Sequence, residues 1–240
     1  MDDELHPLAE DWQRALAIAA HPDDLEYGAA SAIARWTSQG KDVVYVLATR
    51  GEAGIADMPP GRAGPIREAE ERRGAAAVGV EVVEFLDHRD GLIEYGIGLR
   101  RDFARAIRRH TPEIVVTCNH HATWGGAWPN HPDHRAVGQA AIDAVRDAAN
   151  PWLFPELKAA GLEAWDRVRM VCVAGSPNAT HGVDVTTHIA AAVESLRAHA
   201  VYIAGLGTDF DPDAFLSKTA AATGEKLGCE YATSFEVVEV

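Results

Sequence analysis

Sulfur is scarce in this 240-residue chain, which has three cysteines and no C-x-x-C spacing, too few and too irregular for a disulfide framework. Cys118 and Cys172 sit inside apolar runs, where a thiol acts as a small hydrophobe. Long apolar runs are missing as well. Nothing approaches the roughly 18 residues of a membrane span, so no membrane partner is expected. The first residues carry acids where a secretory signal would carry a basic segment, so the chain is read as cytoplasmic. Positive charge is the third shortage. With 22 Lys and Arg against 36 Asp and Glu, the net charge of −14 argues against a nucleic-acid partner, which normally meets a basic face. Several motifs are absent too. No G-x-G-x-x-G follows the first apolar run, and G-x-x-x-x-G-K-[ST], G-x-S-x-G and H-E-x-x-H do not occur. Dinucleotide binding, P-loop phosphate binding, a nucleophile elbow and the helical zinc-protease motif lose their usual signals.

What remains is a chain that is 47% hydrophobic, enough for a large core. Short apolar or β-branched runs at 16–20, 43–48, 80–85, 114–118 and 170–174 have the character of strands buried on both faces. Helical patterns at 28–39, 66–78, 99–109 and 135–146 separate them. Strands joined by helices need crossover connections, so the expected fold is α/β: a Rossmann-like three-layer sandwich with a mainly parallel sheet, in one domain spanning 1–240. The segment 150–166 breaks the rhythm as a surface excursion. A helix at 213–227 and a strand at 231–238 end the chain.

Ligands of open α/β sheets bind at the carboxyl ends of strands, and two similar tetrads fall there. His21-Pro22-Asp23-Asp24 follows the first run, and His131-Pro132-Asp133-His134 follows the fourth by one loop. A proline favours the first helical position, so each leading histidine is expected to cap a helix. A lone His-Pro-Asp is most often only such a cap. Two copies at neighbouring strand ends point to a site, because residues at i and i+3 share a face and His21 with Asp24 can converge. Either His134 or His131 could complete two imidazoles and one carboxylate, the donor set of a catalytic zinc site with an open position. His120 and His121 are read as support or solvated loop, and His6, His88, His110, His181 and His188 as isolated surface or capping residues. The Trp124–Trp128 loop either lines a pocket or packs itself down.

Those residues also carry a resemblance. AHPDDLEYG, TRGEAG at 49–54, the R-x-x-E of Arg67 and Glu70, Arg89-Asp90-Gly91 and NHPDHRAVG are together similar to the GlcNAc-phosphatidylinositol deacetylase, or LmbE-like, family. The resemblance implies a zinc-dependent hydrolase that removes acetyl from an N-acetylglucosamine-type small-molecule conjugate, with Zn²⁺ held by His21, Asp24 and His134. By the same resemblance Asp23 is the general base, His131, protonated, is the acid or oxyanion stabiliser, Asp133 orients His131, and Arg67 and Asp90 contact substrate. A homo-oligomer is compatible with it. Three places depart from the family pattern: Leu25 separates Asp24 from Glu26, Pro129 stands where a tyrosine is frequent, and Val201-Tyr202 replaces Ser-Gln after His199. Rival readings are an amidase for another acyl or thiol conjugate and a non-catalytic sugar-binding module.

Overall fold

A computed structural model of the chain describes residues 4–207 and 209–240. Its first half runs β1 His6–Pro7, β2 Arg14–Ala19, α1 Asp24–Gly28, α2 Ala30–Ser38, β3 Asp42–Leu47, α3 Pro60–Ala77, β4 Val82–Phe85, α4 Ile97–His110 and β5 Ile114–Cys118. The second half runs α5 Pro132–Ala149, α6 Pro155–Ala159, β6 Met170–Ala174, β7 His181–Asp184, α7 Ile189–Arg197, α8 Ala200–Gly205, α9 Pro212–Leu227 and β8 Ala232–Glu239. The strands form one sheet in the order β1-β7-β8-β6-β5-β2-β3-β4. Every pairing is parallel except those of β8, which runs antiparallel to both β6 and β7. The mainly parallel sheet expected from the alternation of apolar runs and helices is present.

Strand alternation divides the core in two. Ala15, Ala17 and Ala19 of β2 face a cluster with Ile33 and Trp36 of α2, Leu196 of α7 and Leu216 of α9. Leu16 and Ile18 face the opposite cluster, with Phe103 of α4 and Val137 of α5. Both faces are covered, as an all-buried parallel strand requires. Each fully buried side chain of the size of Ile18 or Phe103 contributes roughly 1.5–3 kcal/mol through burial.

Several elements differ from the sequence expectation. The helix expected at 28–39 is two short helices, because Ala29 leaves helical geometry at φ −140°. The helix expected from 66 begins at Pro60, and Pro65 inside it gives up one backbone hydrogen bond without ending the helix. Strands β1 and β7 have two and four residues, too few for a period to register. None of the described helices is long and apolar enough to cross a membrane.

The sheet order explains why the two tetrads meet. From β2 the chain winds outward through β3 and β4, whereas β5 lies on the other side of β2 and leads to β6. Connections that diverge from two adjacent parallel strands leave a crevice beyond their carboxyl ends. His21 leaves β2 and the loop carrying His131 leaves β5, so both open into that crevice.

Candidate metal centre

The first tetrad does not form the cap that its proline suggested. Asp23, not His21, is the N-cap of α1, and it is held left-handed at φ 86°. That region costs an ordinary residue about 1–2 kcal/mol, so surrounding contacts must hold it there. They are visible: Glu71 Oε2 accepts the Asp23 N–H at 3.1 Å, and the Arg67 guanidinium donates to Pro22 O at 2.6 Å and to Asp23 Oδ2 at 3.0 Å. The Asp24 carboxylate closes the same turn by accepting the N–H groups of Ala20 and His21. Its two oxygens then face two rings, with Oδ2 3.5 Å from His21 Nδ1 and Oδ1 3.0 Å from His134 Nε2.

The second tetrad does form a cap. His131 is the N-cap of α5, and its Nδ1 accepts the Asp133 N–H at 3.2 Å. The expectation that Asp133 orients His131 is corrected in its detail: the link is the Asp133 main chain. The Asp133 carboxylate instead accepts from Gly91 N at 2.7 Å and Ile93 N at 3.2 Å, and it faces His21 Nε2 at 3.1 Å. Asp90 Oδ1 faces the same nitrogen at 3.1 Å, while its Oδ2 accepts the Ala53 N–H. Nitrogens of His21, His131 and His134 lie within 4.8 Å of one another.

Hydrogen bonds assign the ring protons. The Asn130 amide nitrogen donates to Asn119 O and His121 O, which turns its Oδ1 towards His134 Nδ1 at 3.0 Å. An amide oxygen only accepts, so His134 Nδ1 is a donor, which leaves Nε2 as its nitrogen on the Asp24 side. His21 Nε2, between two carboxylates, is a donor, which leaves Nδ1 as its nitrogen on the Asp24 side. His131 is the reverse case. Its Nδ1 accepts, so the neutral ring carries its proton on Nε2.

Burial, together with His21 and His134 nearby, lowers the pKa of His131. That shift favours the neutral ring, which donates from Nε2. Burial pushes the Asp23 carboxyl up to about 7, with Asp24 adding to the rise and Arg67 opposing it. Around His21 burial acts downward, but Asp24, Asp133 and Asp90 outweigh it and hold the pKa well above 6.5. Three carboxylates about one imidazole concentrate negative charge where a cation would be accepted.

These groups border a cavity of about 530 Å³, whose lining includes His21, Asp23, Asp24, Asp90, His131 and His134. Arg67 also lines it, but the residue is 2% exposed and its side chain bonds to Gly51 O, Pro22 O and Asp23, so it holds the site's own backbone. Trp124 resolves the question of its loop by lining the cavity and standing edge-on to His134 at 5.6 Å, while Trp128 is exposed. Asp133, His120 and His121 are not among the lining residues. The sequence reading missed Tyr27 and Phe215 in the wall, and gave no role to Tyr202, whose ring lies 4.1 Å from the Arg67 guanidinium. No motif marks these aromatics; only the return of α8 and α9 to the crevice brings Tyr202 and Phe215 there.

Behind Asp23 lies a group the sequence reading also missed. Glu26, Glu71 and His199 are at most 1% exposed, with His199 Nε2 3.7 Å from a carboxylate oxygen of each glutamate. Burial raises the Glu71 pKa well above 4.5, and Glu26 and Asp23 add to it. For His199 burial acts downward, yet Glu26 and Asp23 raise its pKa above 6.5. Raised folded values favour the protonated forms. The stability from Glu71 is complete below pH 4.5 and that from His199 below pH 6.5, and each is lost as pH rises through its folded value. Denaturant unfolding across pH should show stability falling with rising pH, and Glu71→Gln should flatten that fall. A variant profile parallel to wild type would contradict this account of the cluster.

Comparison with known proteins follows the same geometry. The sequence profile of the GlcNAc-PI de-N-acetylase family (PIG-L) matches residues 16–145, from β2 into α5. A diacetylchitobiose deacetylase of Thermococcus kodakarensis is 33% identical over 153 residues, covering 63% of this chain and 56% of that protein. This chain thus spans little more than half the length of that relative. The N,N'-diacetylchitobiose deacetylase of Pyrococcus horikoshii, solved with its inhibitor MPG, superimposes with a TM-score of 0.85 at 25% identity, covering 96% of this chain and 85% of that one. GalB, the 4-carboxy-2-hydroxymuconate hydratase of Pseudomonas putida KT2440, shares the fold with a TM-score of 0.74 at 19% identity, over 95% of this chain and 97% of its own.

Proposed function

Because this chain belongs to the GlcNAc-PI de-N-acetylase (PIG-L) family, we propose that it is a zinc-dependent N-deacetylase that hydrolyses the acetamide of an N-acetylglucosaminyl-type small-molecule conjugate to free amine and acetate. The fold alone does not choose this reaction, since a hydratase carries it too. One observation carries the reading: His134 Nε2 and His21 Nδ1 face opposite oxygens of Asp24, while Asn130 and Asp133 hold the other ring nitrogens. Outer partners that fix ring orientation in this way are characteristic of metal-binding histidines. Two imidazoles and a carboxylate suit zinc better than magnesium or calcium. His21, Asp24 and His134 would hold the ion, and His131, protonated on Nε2, is left out of the ligand set.

When bound, zinc lowers the pKa of a water from about 15.7 towards 7 and polarises the acetamide carbonyl. Asp23 is next to a ligand and borders the same cavity, and its carboxylate takes the proton of the attacking water. Arg67 fixes Oδ2 of that carboxylate at 3.0 Å, which sets the direction from which the proton arrives. His131 donates its Nε2–H to the carbonyl oxygen as that oxygen gains charge. The protonated Asp23 then returns the proton to the amide nitrogen, which lets the amine leave. Arg67 and Asp90 border the space left for the sugar, and their reach to substrate is shortened by the bonds they make within the site.

The test is a panel of N-acetylglucosamine, its short oligomers and its conjugates, read for acetate and new primary amine. Turnover should vanish with a chelator and return with zinc. If acetamido sugars are inert while another acyl amide turns over, the rival amidase replaces this reading. Binding without any turnover by the zinc-loaded protein would leave the sugar-binding module.

A further inference from the structure

We propose that His120, His121 and Glu236 form a second site for a divalent transition-metal ion, separate from the cavity. One nitrogen of each imidazole and one Glu236 carboxylate oxygen lie within 4.8 Å of one another. Both histidines leave the end of β5, and Glu236 comes from β8, where it stands opposite Val173 of β6. The three side chains are half-buried, so the site has access to solvent.

The donors are held in place without the ion. The His121 N–H donates to Asn119 Oδ1 at 2.9 Å, and the Asn130 amide donates to His121 O at 3.0 Å. Ser176 Oγ donates to Glu236 Oε2 at 2.5 Å. The rings of His120 and His121 lie 4.2 Å apart, and His120 Nδ1 has no hydrogen-bond partner.

His121 Nε2 meets a carboxylate and an amide at once. His121 Nε2 faces Glu236 Oε2 at 2.7 Å and the Asn178 amide nitrogen at 3.3 Å. With the Asn178 amide turned, its oxygen joins His121 Nε2 and Glu236 as a donor towards an ion held there. Two imidazoles with a carboxylate select zinc, copper or nickel over magnesium and calcium.

The inference does not depend on the deacetylase reading, and zinc itself is the probe. Full-length protein is dialysed to equilibrium with zinc and its metal content measured. Wild type should bind about one equivalent more than His121→Ala or Glu236→Gln, with both variants keeping the equivalent held near Asp24. His134→Ala should lose that latter equivalent and keep the one at His121. Zinc should also raise the melting temperature of His134→Ala, and this rise should vanish in His134→Ala/His121→Ala, since an ion that binds only the folded state stabilises it. Equal zinc content in wild type, His121→Ala and Glu236→Gln would overturn the second site. Full zinc retention by His134→Ala would instead overturn the first centre, leaving the second to be judged by His121→Ala alone.

Discussion

Asp23→Asn should retain its zinc and lose about 10²- to 10⁴-fold in turnover, the usual cost of removing a positioned acid or base. The substitution preserves the shape of a side chain that is 5% exposed and keeps an oxygen able to accept from Arg67, so the fold should survive. What disappears is the ability to take a proton. His131→Ala should fall in the same range for a different reason, because it removes an N–H aimed at the developing oxyanion and leaves the Asp24-bridged pair intact. Steady-state rates on zinc-loaded samples check both. A rate within a factor of a few of wild type in Asp23→Asn would remove Asp23 as the base.

Arg67→Ala should lower the unfolding free energy by about 3–5 kcal/mol, the range for removing one partner of a buried ion pair. Arg67 and Asp23 are almost wholly buried at 3.0 Å, and the guanidinium also satisfies Gly51 O and Pro22 O. Its loss removes the strongest opposition to burial of the Asp23 carboxyl beside Asp24 and deprives the left-handed turn of a main-chain anchor. Combining Arg67→Ala with Asp23→Asn should cost less than the sum of the two, because the second change already removes the carboxylate that Arg67 holds. Denaturant titration of the four proteins measures this coupling. Strict additivity would show that Arg67 acts through packing on Tyr202 rather than through the Asp23 charge.

Much of the fold could be read from the sequence because parallel strands buried on both faces are short apolar runs, and helices of the expected length lie between them. The same logic failed for β1 and β7, and for α7 and α8, which rest on contacts with distant parts of the chain. The tetrads were legible as a pair, since His-Pro-Asp twice at strand ends is rare enough to notice. Their division of labour was not. It depends on which nitrogen of each ring meets an acceptor, and the deciding residues are Asn130 for His134 and the Asp133 main chain for His131. The bonds of Arg67 to Pro22 O and Gly51 O and its burial against Tyr202 are tertiary facts that no motif carries. The buried Glu26–Glu71–His199 group was equally hidden, joining residues from three separate helices or their ends.

The measurement that tests the account most directly is zinc content and acetate release determined on the same preparations of wild type, His134→Ala and His131→Ala. The tautomers set by Asn130 and by the Asp133 N–H predict that His134→Ala loses both metal and activity, while His131→Ala keeps near-normal zinc and turns over slowly. Zinc lost from His131→Ala and kept by His134→Ala would contradict the assignment of His21, Asp24 and His134 as the metal-binding set.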